Sequence, residues 1–262
     1  MRFISFGSGS SGNCYYLEEE GFGIFLDLGI GPRLLKRYMQ EYGVLHTAPR
    51  AAFLTHDHTD HVKASGVVAA EYGIPVYAAA AVHRGILANP FLRKKIPTAQ
   101  QRELNAGEEV QCGPFTLLPF CVPHDASANF GFFIEASGVN FCLMTDAGEV
   151  TNEMIGYMRR AQNLVIECNY DEAKLAAGRY PPKLQARIKS PTGHLDNQAT
   201  AAALREHLTD VTHHVWLCHL SEENNHPDIV RFLIEDAVKN QPTPPAVTVL
   251  KRRTPMGFYE LS

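Results

Sequence analysis

Short apolar blocks alternate with glycine-, serine- and proline-containing turns along this chain, and the spacing within each block separates strands from helices. The first 28 residues read as three strands, RFISF, CYYLE and FGIFLDLG, with the turn GSGSSGN between the first two. A helix is predicted from Pro32, which suits a first-turn position, to about Tyr42 before Gly43. AAFLT reads as a buried strand ending at a histidine cluster, and DHVKASGVVAAEY behind it has helical spacing and a stop at Gly73. Strand signals dominate from Val76 to Thr145, where FTLLPFCV, NFGFFIEA and VNFCLMT stand out. Beyond Glu149 the pattern alternates: EMIGYMRRA, NQATAAALREHL and HPDIVRFLIEDAVKN read as helices, NLVIEC and HHVWLCHL as strands, and the tail AVTVLKRR…MGFYEL as two more strands.

Two β-rich halves with helices placed to cover outer faces predict an α/β, four-layer αββα sandwich, in which two stacked mixed sheets lie between helices. At 262 residues and 45% hydrophobic content the chain has material for one large domain spanning 1–262, and the proline-rich loop at 241–245 is too short to divide it. The net charge of −4 creates no global positive field, so a polyanionic partner must be met by a local patch. Six cysteines, at 14, 112, 121, 142, 168 and 218, show no CxxC pairing and sit mostly in apolar runs, as buried free thiols do. No leader-like segment opens the chain, and no apolar run approaches the ~20 residues of a membrane span. The expectation is a cytoplasmic protein without membrane insertion.

Chemistry concentrates in LTHDHTDH, residues 54–61. His56 and His58 lie two apart, so both imidazoles reach one side of an extended or turning segment. Asp60 and His61 follow at the predicted start of a helix, with Thr59 as its cap, and the change in backbone direction aims them at a second position. Imidazole with carboxylate and no thiolate suits zinc, manganese or iron in an open catalytic site rather than a closed structural one.

HDHTDH matches the HxHxDH signature of the metallo-β-lactamase-fold hydrolases, and the resemblance continues in order with VPH at His124, LMTDAG at Asp146 and LCHLS at His219. It implies two divalent metal ions, zinc first. His56, His58 and His124 would hold one, Asp60, His61 and His219 the other, and Asp146 would bridge them. Asp27, in FLDLG, matches the early aspartate that orients the metal-ligand loop. Ions roughly 3.5–4 Å apart make a bridging hydroxide available as nucleophile near neutral pH. Many β-lactam-cleaving relatives carry cysteine at this metal site, which makes antibiotic hydrolysis a poor reading. Glu167 in LVIECNY and His194 in SPTGHLDN resemble the phosphodiesterase branch, in which a strand-borne glutamate positions a histidine that protonates the departing oxygen. Catalysis would then rest on Asp60, Glu167 and His194.

FGSGSSGNCYYLE, GHLDN and CHLSEENNHP together resemble the WalJ-type (YycJ-like) bacterial subfamily, regarded as 5′-3′ DNA exonucleases. That resemblance implies a nucleic acid substrate, DNA before RNA. Substrate contacts would come from Ser8, Ser10, Ser11 and Asn13 in the first loop, from Lys183 and Arg187, and from Ser221, Asn224 and Asn225 after the last ligand. Members of the subfamily often read GHLSN where this chain has Asp196, and an added carboxylate on a phosphate path would weaken substrate approach. The 72 residues between Asp146 and His219 hold no clamp-domain insertion, so grip falls to the core's own loops or to a second copy in a homodimer.

Two other functions fit the same ligands. One is a thioester or lactone hydrolase, whose leaving group needs no general acid. The other is a signalling or binding protein that keeps metal without catalysis. A redox di-iron centre fits less well, because relatives of that type have glutamate where His58 stands.

Overall fold

In the computed structural model, which describes residues Met1–Ser262, strands form where the apolar blocks lie. β1 (Arg2–Gly7), β2 (Cys14–Glu19), β3 (Phe22–Leu26), β4 (Pro49–Phe53), β5 (Val76–Ala78) and β6 (Gln101–Glu103) hydrogen-bond in chain order. A second sheet contains β7 (Val110–Cys112), β8 (Phe115–Cys121), β9 (Phe130–Ala136), β10 (Val139–Met144), β11 (Asn163–Glu167), β12 (His214–Cys218) and β13 (Ala246–Val249), also side by side in chain order. The last strand, β14 (Tyr259–Glu260), returns to the first sheet beside β1.

Both sheets are mixed, and in both the pairing changes sense beside a residue of interest. β1, β2 and β3 pair antiparallel, whereas β3–β4, β4–β5 and β5–β6 pair parallel. β9–β10 is antiparallel, whereas β10–β11, β11–β12 and β12–β13 are parallel. Parallel strands covered on both faces need continuous apolar runs rather than alternation. NLVIE of β11 is buried at every position, and HVWLC of β12 at all but the first. Parallel neighbours also put their carboxyl ends on one edge of a sheet, the edge where α/β folds place ligands.

Nine helices connect these strands: α1 (Pro32–Glu41), α2 (Thr59–Val62), α3 (Ser65–Tyr72), α4 (Ala80–Ala88), α5 (Asn152–Met158), α6 (Glu172–Ala177), α7 (Pro182–Ile188), α8 (Asn197–His207) and α9 (Pro227–Val238). By compactness the chain divides into two units. One is Met1–Pro119 with Ala126–Phe130 and Lys251–Leu261, and the other is Phe120–Asp125 with Gly131–Leu250 and Ser262. No helix is long and apolar enough to cross a membrane, and all six cysteines are free thiols, with only Cys121 exposed.

Three local expectations need correction. Helix α4 lies in the stretch read as strands, because an alanine-rich segment with high helix propensity sits between β-strands too short to show a period of their own. The helix predicted after the histidine cluster is two, α2 and α3, separated by Lys63 and Ala64, although the stop at Gly73 holds, with φ 65°. Thr59 is not the cap. His58 occupies that position, and the Thr59 hydroxyl accepts a hydrogen bond from Asn89 at 3.3 Å.

Candidate metal centre

Asp27 follows directly on β3 and takes the left-handed conformation, φ 60°, which a non-glycine residue adopts at a cost of ~1–3 kcal/mol. That turn aims its fully buried carboxylate at the loop after β4. Oδ1 accepts the Thr55 amide at 2.8 Å, while Oδ2 accepts the Thr55 hydroxyl at 2.9 Å and Nδ1–H of His61 at 2.7 Å. The single Thr55 proton goes to Asp27, so the same hydroxyl oxygen accepts from Nδ1 of His56, 2.9 Å away. Both rings are thereby fixed with Nδ1 protonated and the lone pair on Nε2, the tautomer a metal requires.

The loop is braced from its other side by backbone. Leu28 N–H donates to His61 O, and both Asn13 N–H to Asp60 O and Gly29 N–H to Asn13 O span 2.7 Å. Gly29 has no room for a Cβ, which would overlap the Asp60 carbonyl. The rings of His56 and His58 have centroids 4.6 Å apart, those of His56 and His61 4.0 Å, and Asp60 Oδ2 is 3.8 Å from His61 Nε2. Four potential ligands thus converge where the loop after β4 runs into α2, and the rings of His56 and His61 are fully buried.

A second group assembles in the other compact unit. His124 follows β8, Asp146 lies just past β10, Glu167 ends β11, and His219 follows β12. Asp146 and His219 are again left-handed, at φ 54° and 53°. One ligand atom from each of Asp146, Glu167, His194 and His219 lies within 4.8 Å of the others. His124 donates from Nδ1 to Gly193 O at 2.9 Å, and its Nε2 is 3.7 Å from Asp146 Oδ1. His219 donates from Nδ1 to Glu167 Oε1 at 2.9 Å, and Thr145 Oγ1 donates to Asp146 Oδ2 at 2.8 Å. Again the partners leave Nε2 of each ring as the acceptor.

Glu167 is the hub of this group. Its Oε1 takes His194 Nδ1 at 2.8 Å besides His219, and its Oε2 takes the amides of Ala147 at 2.9 Å and Leu195 at 3.1 Å. Burial alone would raise its carboxyl, but the His194 charge and the hydrogen bonds from both histidines outweigh that and hold it below the usual carboxylate range. In His194 burial acts to lower the imidazole, and the Glu167 carboxylate, by charge and hydrogen bond, overrides it and raises the ring above its ordinary value.

The remaining sequence-predicted residues divide by exposure. Ser8 is fully buried with its hydroxyl 2.9 Å from Tyr15 OH, whereas Ser10 and Ser11 are exposed. Asn13 is buried, takes Gly9 N–H on Oδ1 and donates from Nδ2 to His61 Nε2 at 2.9 Å, so it holds the outer nitrogen of that ring. Lys183 is exposed, and the exposed Arg187 forks onto Asp125, next to His124. Ser221 accepts the Asn224 amide at 3.1 Å, and buried Asn225 binds Cys168 O, Asn169 O and Asn197, which ties the loop after β12 to the end of β11. Asp196 accepts the amides of Gln198 at 2.7 Å and Ala199 at 2.9 Å as the N-cap of α8. Serine and aspartate cap equally well, so either residue at this position starts the helix, here through Oδ1 alone.

Three contributors escaped the sequence reading. Thr55 stands inside the strand-to-cluster junction and carries the link between Asp27 and His56. Asn169 donates to His219 O at 2.8 Å and approaches its Nδ1 at 3.1 Å. The carbonyl of Gly193 holds His124, and only its position before His194 hinted at a role.

The comparisons with known proteins agree with this geometry. Residues 26–219 match the β-lactamase superfamily domain. Exodeoxyribonuclease YycJ of Bacillus anthracis is 30% identical over 241 residues, which cover 92% of this chain and 90% of that protein. Exodeoxyribonuclease WalJ of Streptococcus pneumoniae is 32% identical over 225 residues, covering 86% and 83%. The crystal structure of YhfI from Bacillus subtilis, a metallo-β-lactamase fold protein, superimposes with a TM-score of 0.73 over 98% of this chain and 99% of that one, at 15% identity, and shows the fold.

Proposed function

This chain belongs to the β-lactamase superfamily and, within it, to the metal hydrolases related to YycJ and WalJ, and on that premise we propose that it is a metal-dependent exonuclease that shortens DNA from the 5′ end. The observation that carries the reading is the pairing of His194 with Glu167. The thiolate of a thioester leaves without help, whereas the alkoxide of a phosphodiester needs a proton delivered to it, and a positioned acid contributes about 10²–10⁴ in rate. His194 is suited to that delivery: its Nδ1 is engaged by a buried carboxylate and its ring is biased toward the protonated form, leaving Nε2–H as the donor.

In this reading His56, His58 and His124 hold one divalent ion, Asp60, His61 and His219 hold a second, and Asp146 serves both. The donor set supports it, since each of His56, His61, His124 and His219 is held through Nδ1, which leaves the Nε2 lone pair for a metal, and at His61 a bound ion would replace the Asn13 amide as the partner of that lone pair. Zinc suits imidazole with carboxylate, and manganese or iron are the alternatives. When bound, such ions activate water near neutral pH and neutralise charge on a phosphate. Asp27 and Thr55 keep the first loop's rings in register, and Glu167 orients both His194 and His219. Asp60 serves catalysis as a ligand, and the whole chain works as one domain without a clamp insertion. Six free thiols fit a reducing, cytoplasmic location, and a homodimer would extend the grip on a strand.

The test is direct. Purified protein with its metal content counted is incubated with end-labelled single- and double-stranded DNA and RNA. A ladder of products that grows from the 5′ end of DNA is the expected result, and metal-replete protein that hydrolyses a thioester but no nucleic acid would overturn the reading.

A further inference from the structure

Between Glu71 and Glu103 the chain has five cationic side chains, Arg84, Arg93, Lys94, Lys95 and Arg102, and no aspartate or glutamate, although its net charge is −4. The same stretch carries two large apolar side chains in water, Leu87 at 64% exposure and Phe91 at 83%. Their exposure does not come from a loose loop. Leu92 and Ile96 on either side of the basic residues are buried, and the Lys95 ammonium donates to Ile86 O at 2.9 Å and to Asn89 O at the end of α4. Asn89 accepts the Phe91 amide on Oδ1 at 3.0 Å, and a Cβ on Gly66 of α3 would overlap the backbone of Lys94. Phe91 is therefore held outward by a segment pinned on both sides, while Arg93 and Lys94 stay exposed and free of ion pairs.

The segment is also tied to the proposed ligand loop within the same compact unit. Asn89 Nδ2 donates to Thr59 Oγ1 at 3.3 Å, one residue before Asp60, and Gly85 of α4 lacks room for a Cβ because the Asp57 carboxylate lies there. An aromatic face with unpaired cations beside a nuclease's metal loop matches what single-stranded nucleic acid asks of a sequence-independent site: a surface for any base to stack on, and positive charge along the phosphates.

We propose that Phe91, assisted by Leu87 and flanked by Arg93 and Lys94, is a stacking platform that grips the single-stranded part of the nucleic acid substrate. This rests on the nuclease reading above. The absence of carboxylates from so long a stretch favours a polyanion over a second copy of the chain as the occupant.

Binding of a labelled, hydrolysis-resistant phosphorothioate oligothymidylate of about twelve nucleotides, followed by fluorescence anisotropy on the metal-replete protein, tests it. Phe91→Ala is expected to weaken affinity about 5- to 100-fold and Phe91→Trp to retain it. Arg93→Ala with Lys94→Ala should lower the slope of log affinity against log salt by about 1.4. On native strands, Phe91→Ala should lose about tenfold more kcat/KM than it loses on bis(p-nitrophenyl) phosphate. Undiminished affinity in Phe91→Ala would overturn the platform while leaving the nuclease reading in place, provided the wild type degrades DNA. Wild-type protein that degrades no nucleic acid would overturn both. A dimer in sedimentation that Phe91→Ala dissociates would instead make the patch a contact between copies and also overturn the platform.

Discussion

His194 donates from Nδ1 to Oε1 of Glu167 at 2.8 Å, and that oxygen also receives Nδ1 of His219 at 2.9 Å. One buried carboxylate thus fixes the orientation of two rings to which the proposed function gives different roles, an acid and a ligand. Removing the acid should leave the fold and the ligands in place. His194→Ala is expected to lower kcat by about 10²–10⁴ on DNA, and by less on a p-nitrophenyl ester, whose phenolate departs without a proton. Equal losses on the two substrates, measured by steady-state kinetics, would remove His194 from the acid role.

Thr55 passes the Asp27 carboxylate's influence to His56 through one hydroxyl. Thr55→Val keeps the shape and removes the proton relay. Metal affinity is expected to fall about 10–100-fold, as it does when partners of ligating histidines are removed. Competition with a chromogenic chelator reads the change, and an unaltered affinity would show that Asp27 orients His61 alone.

Asp196 tests whether its carboxylate matters for more than the helix. Asp196→Ser should hold stability to within a few tenths of a kcal/mol, and Asp196→Ala should cost about 1 kcal/mol, a drop of about 2–4 °C in Tm. A rise in DNA turnover in Asp196→Ser, without change in stability, would instead place that carboxylate on the phosphate path.

Burial pushes the His214 imidazole down to about 4, while its ring stacks on Trp216 with centroids 3.9 Å apart. In the unfolded chain the ring titrates near ~6.5, so as the pH falls the unfolded state takes the proton first. The stabilisation is complete above ~6.5 and is lost progressively toward pH 4. With the ring partly solvated, the loss is expected to be on the order of 1–2 kcal/mol. Urea unfolding at about pH 5 and about pH 7.5 measures it, and His214→Phe should flatten the difference; an equally steep dependence in that variant would assign it elsewhere.

The candidate ligands of HDHTDH were legible because the motif is local: residues 56 to 61 run from the loop after β4 straight into α2, so chain connectivity alone brings their side chains near one another. The long strands and most helices were legible for the same reason, their periods repeating within a few residues. Helix α4 was not, since a run of alanines has no polar face to mark a period. Nor was the cap role of Asp196, since GHLDN carries no apolar period of its own to mark the helix that starts one residue later.

The conformations that aim the site lay beyond the residue pattern. Asp27, Asp146 and His219 each adopt a left-handed backbone at a strand's carboxyl end, a state an aspartate or histidine rarely enters unless its surroundings impose it. Those surroundings are pairings across the chain, such as β3 against β4, which sets Leu26 opposite Phe53 and so brings the Asp27 carboxylate to the Thr55 amide, and β11 against β12, which sets Glu167 opposite Cys218 and so beside His219. Residue identity established which atoms were available to a metal and a proton. Sheet register, held by burial of apolar strands on both faces, decided which nitrogen of each ring is offered and toward what.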